Sequence, residues 1–136
     1  MTTHICFAQK KDSLWLKSHD LHTNEDILMS KIENKEILVI EIWTEIIWWL
    51  RFNYFWDEIP FVNMLYILEN FREKGYGKEI LKYWEDLMWM KWYKNLMTSS
   101  QGDEQGQYFY RKLWYKDIWS FNLPKEAKEI LFLKQI

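Results

Sequence analysis

Hydrophobic and polar positions along this chain change period several times, and each change marks an element. Residues 3–9 read as a short first strand, and residues 12–19 as one or two helical turns. Thr23-Asn24-Glu25-Asp26 is a helix-start signal. Small polar cap candidates precede acids in the first turn, where the positive end of the helix dipole favours them. The helix so opened runs through Ile27, Leu28 and Ile32 and ends near Asn34. Three extended runs follow. Residues 36–42 are β-branched and apolar, residues 45–56 alternate with many aromatics, and residues 60–69 are largely apolar. The last pattern predicts a strand covered on both faces, and therefore central. Trp43-Thr44 and Asp57-Glu58 fall at the two turns, so the three runs predict an antiparallel meander.

From Gly77 to Met90 the period becomes helical. Ile80, Leu81, Trp84, Leu87 and Met88 fall on one face at i, i+3, i+4, i+7 and i+8. Residues 95–99 predict a short strand. Residues 103–113 predict a second helix, with an acid at its start and Arg111-Lys112 at its end, as the dipole prefers. Residues 118–123 and 129–134 predict two closing strands. No repeat, low-complexity tract or linker interrupts the series. The expectation is a mixed α/β layer fold in a single domain over residues 1–136.

Composition narrows the function. A hydrophobic share of 49% is ample for a core. The net charge of −2 leaves no surplus of Lys and Arg to neutralise phosphates, which argues against a nucleic-acid partner. Cys6 is the single cysteine, so no intramolecular disulfide forms, in keeping with a reducing compartment. Charges break every apolar run before it reaches membrane-spanning length, and the first ten residues lack the apolar stretch of a secretory signal. No membrane partner and a cytoplasmic location are the expectations.

The candidate chemistry sits where the apolar strand gives way to the long helix, at Arg72-Glu73-Lys74-Gly75-Tyr76-Gly77. A strand turning through glycines into a helix exposes several backbone N–H groups at one point, beside the helix's partial positive charge. Glycine admits close approach of an anion that a Cβ would obstruct. Arg72 and Lys74 add charge, and Lys78 lies in the first turn. The spacing suits a pyrophosphate. It is not the nucleoside-triphosphate loop, because Glu79 follows Lys78 and no upstream glycine is in range. Nor is it the dinucleotide fingerprint, which needs three glycines. Two glycines at a helix start are equally compatible with a plain tight turn.

At these residues the chain resembles the GNAT superfamily of N-acyltransferases, over the stretch from about residue 36 to residue 136. The family's signature, Arg/Gln-x-x-Gly-x-Gly/Ala after a strand, is present at residues 72–77. Its second element, a helix ending in Phe-Tyr-x-Lys-x-Gly-Tyr/Phe-Lys, is matched by Phe109-Tyr110-Arg111-Lys112-Leu113-Trp114-Tyr115-Lys116, except at Trp114. The resemblance implies a mostly antiparallel central sheet of about six to seven strands flanked by helices. A splayed parallel pair, residues 60–69 and 95–99, would form the cleft for acetyl-CoA. It implies a cosubstrate but no metal. It assigns Ile67 and Leu68 to the pantetheine and thioester carbonyl through their backbone groups. The amides of Arg72, Glu73, Lys74, Gly75, Tyr76, Gly77 and Lys78 would hold the pyrophosphate. Tyr110 would be the general acid for the departing thiolate, the alternative being plain core packing against Phe109. Candidate bases for the amine are Glu58, Asp57 and Glu69, with Asp57 and Glu58 equally readable as solvated turn charges.

The acceptor would be a small-molecule or peptide amine, and the Asp57-Glu58 pair hints at a cationic one. A homodimer is compatible with the family. A catalytically idle acyl-CoA-binding sensor of the same fold is the alternative function. The remaining features have plainer readings. His19-Asp20-x-His22 lacks a third zinc ligand in range and reads as a polar helix end. Cys6 has nothing nearby to activate it and reads as a structural thiol. The aromatic run 48–56 reads as acceptor-pocket lining or core. Ser99-Ser100-Gln101 would bond CoA or acceptor, or cap the next helix.

One anomaly remains. The chain has 10 Trp and only 4 Gly, where about 7% glycine is usual. Trp92 and Trp114 each follow a predicted helix, where the exit commonly uses glycine, and the family usually carries glycine at both. Trp43, Trp48 and Trp119 also stand where relatives often have glycine, whereas Trp15, Trp49, Trp56 and Trp84 read as ordinary. Either some of the former are UGA codons that the source reads as glycine, or this is a genuine Trp-rich variant with rebuilt turns. The first reading predicts strained helix ends.

Overall fold

The computed structural model describes residues 2–136. Its strands are β1 (Thr3–Phe7), β2 (Ile37–Ile42), β3 (Glu45–Phe55), β4 (Ile59–Ile67), β5 (Asn95–Gln101), β6 (Lys116–Phe121) and β7 (Glu129–Gln135). Its helices are α1 (Ser13–His19), α2 (Glu25–Glu33), α3 (Tyr76–Met90) and α4 (Gly106–Lys112). The strands form one seven-stranded sheet in the order β1-β2-β3-β4-β5-β7-β6. β4 pairs with β5 in parallel at Phe61–Met97 and Val62–Thr98, whereas β1–β2, β2–β3, β5–β7 and β6–β7 are antiparallel. The sequence-predicted mixed α/β fold, with a mostly antiparallel sheet and one parallel pair, is therefore observed, and β4 is central as its apolar run requires.

The chain falls into two compact units. The first holds the residues up to Phe52 together with Met64–Trp84. Its core includes Ala8, Leu16, Leu28, Ile32, Ile37, Val39, Ile46 and Trp49. Asn24 caps α2 by accepting the Ile27 amide at 2.9 Å, as the helix-start signal predicts. Asp20, past the end of α1, is buried. It accepts from Arg51 Nε at 2.8 Å, Arg51 Nη2 at 3.3 Å, Trp49 Nε1 at 3.3 Å and the His22 amide at 3.2 Å. The polar cluster read at His19-Asp20-x-His22 is thus a buried ion pair that pins the α1–α2 connection to β3.

The second unit holds Asn53–Asn63 and Glu85–Ile136. Leu96, Met97, Tyr110, Tyr115, Ile130 and Phe132 are buried there. Tyr115 donates to the buried Glu85 at 2.8 Å, and Lys134 reaches the same carboxylate at 3.1 Å, tying the end of α3 to β7.

Two expectations need correction. The strand predicted to alternate, β3, is buried continuously from Ile46 to Phe52. Both its faces are covered, Trp49 and Arg51 bonding Asp20 while Trp48 and Phe52 pack on Tyr76 and Trp84 of α3, and a register shift against β2 skips Ile47. α4 begins at Gly106, not at Asp103. The Glu104 carboxylate takes the Gln101 amide at 2.9 Å, and Gln107 Nε2 takes the carbonyls of Gly102 and Glu104. These side chains build a turn in place of a first helical turn.

Candidate functional site

β4 ends at Ile67, and the chain makes a 3-10 turn through Glu69–Phe71 before reaching α3. Leu68 starts that turn, and its carbonyl accepts the Phe71 amide at 2.9 Å. Glu73 then lies at φ 61° and Gly75 at φ 83°. The Glu79 amide bonds the Gly75 carbonyl at 3.0 Å, which makes Gly75 the residue on which the helix opens. The amides of Gly75, Tyr76, Gly77 and Lys78 consequently have no partner inside the helix. Gly75 offers no side chain to cap them. They lie at the positive end of a 15-residue helix, with Gly75 and Lys78 exposed and Gly77 buried.

Gly75 is required here by its conformation. A Cβ at that position would meet nothing within 4 Å, so clearance is not the constraint in the protein alone. Arg72 is held in place: its Nε donates to the Ile67 carbonyl and its Nη2 to the Tyr66 hydroxyl, both at 3.3 Å, with the guanidinium 5.5 Å over the Tyr66 ring. Lys74 lies 5.9 Å over the Phe71 ring. Lys78 and Glu73 are exposed. Tyr76 packs edge-on against Trp48 and Phe71, each at 6.4 Å.

The expected backbone roles of Ile67 and Leu68 contract. The Leu68 amide is donated to the Ile47 carbonyl at 3.1 Å, so it is not free to polarise a thioester carbonyl. The Ile67 carbonyl is occupied by Arg72. The Arg72 amide is likewise turned onto the Glu69 carbonyl at 3.3 Å, which leaves the open amides to the residues after it.

In the second unit Tyr110, on α4, is buried among Phe109, Tyr115 and Phe132. The ring packs in the core, as the plainer of the two readings expects. Thr98 donates its only hydroxyl proton to the Val62 carbonyl at 3.0 Å. Thr98 lies close enough to the Tyr110 hydroxyl to influence it. Burial pushes the phenol up to about 12, Thr98 acting in the opposite sense and Glu104 in the same one. Thr98 escaped the sequence reading because a side chain reaching across to another strand leaves no local period.

Of the candidate bases, Glu69 is exposed in the 3-10 turn directly before the loop. Asp57 and Glu58 are exposed in the β3–β4 turn, with Asp57 at φ 59°. Glu58 precedes β4 whereas the loop follows it. The aromatic run is mostly core: Trp48, Trp49 and Phe52 are buried. Ser99 donates to Glu129 and Ser100 to the Gln101 carbonyl, so neither caps α4. Burial raises the Cys6 thiol, with Glu41 and Asp12 adding to the effect, which suits a structural residue. Among the described residues no group of three or more His, Cys, Asp and Glu could hold a metal ion, and no helix is long and apolar enough to cross a membrane.

Compared by sequence, the chain matches no protein-family model and no curated protein. Compared by structure, it is similar to Ard1 from Thermoplasma volcanium, at a TM-score of 0.87 and 10% identity over 100% of this chain and 99% of that one. It is similar to Arabidopsis thaliana Naa50 in complex with the bisubstrate analogue CoA-Ac-MVNAL, at 0.81 and 13% over 100% of both chains. It is also similar to the PaiA N-acetyltransferase from Thermoplasma acidophilum in complex with coenzyme A, at 0.72 and 16% over 100% of both. The chain has the fold of the GNAT acetyltransferases.

Proposed function

We propose that this protein transfers an acetyl group from acetyl-CoA to a primary amine. The observation that carries the proposal is the opening of α3 on a glycine at φ 83°, with uncapped amides beside Arg72, Lys74 and Lys78. Such a start suits an anion. The fold shared with proteins crystallised with coenzyme A and a CoA–peptide analogue supports a CoA thioester as donor and a peptide or other amine as acceptor.

In this reading the amides of Gly75, Tyr76, Gly77 and Lys78 hold the pyrophosphate, with Lys74 and Arg72 adding charge. The amine attacks the thioester directly, and a base or ordered water takes its proton. Glu69 is the better candidate base, because it adjoins the loop. Tyr110 is the hydrogen-bond donor to the departing sulfur. Its phenol, at about 12, lies roughly 3 to 4 pH units above an ordinary thiol, so it stabilises the thiolate without surrendering its proton outright.

Titration calorimetry with acetyl-CoA, followed by a thiol-release assay over free-amine peptides, polyamines and amino acids, tests the proposal. Binding and acceptor-dependent thiol release are expected, and Tyr110→Phe should lower kcat more than it weakens CoA binding. A folded protein that ignores acetyl-CoA at millimolar concentration defeats the proposal. One observation favours a second reading, an acyl-CoA-binding module without turnover: Tyr110 is buried among the rings of Phe109, Tyr115 and Phe132. Binding without thiol release for any amine would select it.

A further inference from the structure

Nine non-glycine residues among those described have positive φ, and four of them are tryptophans: Trp43 (51°), Trp56 (57°), Trp92 (74°) and Trp114 (74°). With 10 Trp in 136 residues, chance would place fewer than one tryptophan among nine such positions. A bulky side chain at positive φ is a genuine outlier, because its Cβ crowds the following carbonyl.

The hydrogen bonds show what each position does. After α3, the Trp92 amide bonds the Trp89 carbonyl at 3.0 Å and the Tyr93 amide bonds the Met88 carbonyl at 3.2 Å. After α4, the Trp114 amide bonds the Arg111 carbonyl at 3.2 Å and the Tyr115 amide bonds the Tyr110 carbonyl at 3.1 Å. Both are the paired 5→2 and 6→1 bonds of a Schellman ending, and both place tryptophan on the left-handed residue that is usually glycine. Trp43 and Thr44 form the two-residue β2–β3 turn closed by the Ile42–Glu45 pair, with both residues at positive φ as a type I′ turn demands. Trp56 and Asp57 hold the same pair of signs between β3 and β4.

None of the four indoles repays its backbone. Trp43, Trp56, Trp92 and Trp114 are 78%, 76%, 85% and 78% exposed. Trp49, by contrast, is buried in the core and bonded to Asp20. We infer that positions 43, 56, 92 and 114 are glycine in the protein the source cell makes, their codons being UGA triplets decoded by a glycine tRNA and rendered here as tryptophan. The substitution doubles the glycine count and removes four large, exposed apolar groups. Trp48 and Trp119, singled out with them from sequence, lie in strands without positive φ and are outside the inference. Trp56, which reads as ordinary in the sequence, is inside it. The turns also bear on the candidate site, since the Trp114 position sets the direction of Tyr115, whose ring packs 5.6 Å from Tyr110.

Two measurements test this. Reading the codons, and peptide mass spectrometry of the protein from its native cells, should give UGA and glycine at all four positions, with UGG and tryptophan at Trp49. A UGG codon or a tryptophan-bearing peptide at any of the four overturns the inference for the set. Independently, the recorded sequence and single variants can be made from a synthetic gene. Trp92→Gly and Trp114→Gly should each raise the thermal midpoint by a few degrees, and Trp49→Gly should lower it. Unchanged or lower midpoints for both helix-end variants overturn the inference.

Discussion

α2 and α3 both begin within the first unit, and they begin in opposite ways. α2 opens on Asn24, whose side chain accepts the Ile27 amide, and its first turn carries Glu25 and Asp26. Cap and charge both answer the needs of the helix. α3 opens on Gly75, which has no side chain to offer; Arg72, Lys74 and Lys78 flank it, alongside Glu73 and the first-turn acid Glu79. Its amides are left open and its flanking charges mostly oppose the dipole. The same chain that closes one helix start leaves the other unclosed, and an external anion is the physical reason to do so. The lesson is that a site can be read from what a helix end omits.

The sharpest way to break the comparison is to close the open end. Gly75→Asp sets a carboxylate among the α3 amides, at a residue type that tolerates positive φ. CoA affinity measured by calorimetry should fall about a hundredfold, or about 2.8 kcal/mol, with the thermal midpoint little changed. Retained affinity would mean that the open amides bind nothing.

Alkaline pH probes the closed groups next. Tyr110 keeps its proton up to about 12 in the folded protein, against 10.0 ordinarily, because burial disfavours the phenolate. Its raised value means that the stabilising contribution is complete below pH 10 and is lost as pH climbs through 12. The loss is on the order of 3 kcal/mol. Tyr115 acts in the same sense, driven by burial and then by Glu85. Urea unfolding between pH 8 and 12 should show the decline, and Tyr110→Phe should flatten it.

Much of this was legible in the chain because it is local. The 3.6-residue spacing from Ile80 to Met88 locates α3, and Thr23-Asn24-Glu25-Asp26 locates the start of α2. The glycines at 75 and 77 locate the loop, since one demands a positive φ that few residues tolerate. What stayed hidden depends on partners distant in sequence or on side chains that replace a regular turn. The Leu68 amide is spent on the Ile47 carbonyl of β3, a partner distant in sequence. Thr98 reaches from β5 to the Val62 carbonyl of β4. Glu104 diverts the Gln101 amide and delays α4, although its charge reads as a helix start. Trp56 reads as an ordinary aromatic until its φ is known.

Smaller effects sharpen the contrast from the closed side. Asn24→Ala removes the α2 cap and should cost about 1 kcal/mol of unfolding free energy, with CoA affinity unchanged. A fall in affinity would mean that the two helix starts are not independent.

The last test turns on sign. A lysine in the first turn is unfavourable to its own helix, so Lys78→Glu should stabilise the protein by about 0.3–1 kcal/mol at low ionic strength while weakening CoA binding. Asp26→Lys, the mirror change in α2, should destabilise by a similar amount and leave binding alone. Chemical unfolding and calorimetry on the same samples at low and high salt would show both, since salt screens surface charge. Opposed changes in stability and binding at Lys78, against a change in stability only at Asp26, would mark one helix start as built for a ligand and the other for the fold. If Lys78→Glu stabilised the protein and left binding intact, the positive charge would have no ligand to serve, and the loop would be an ordinary turn.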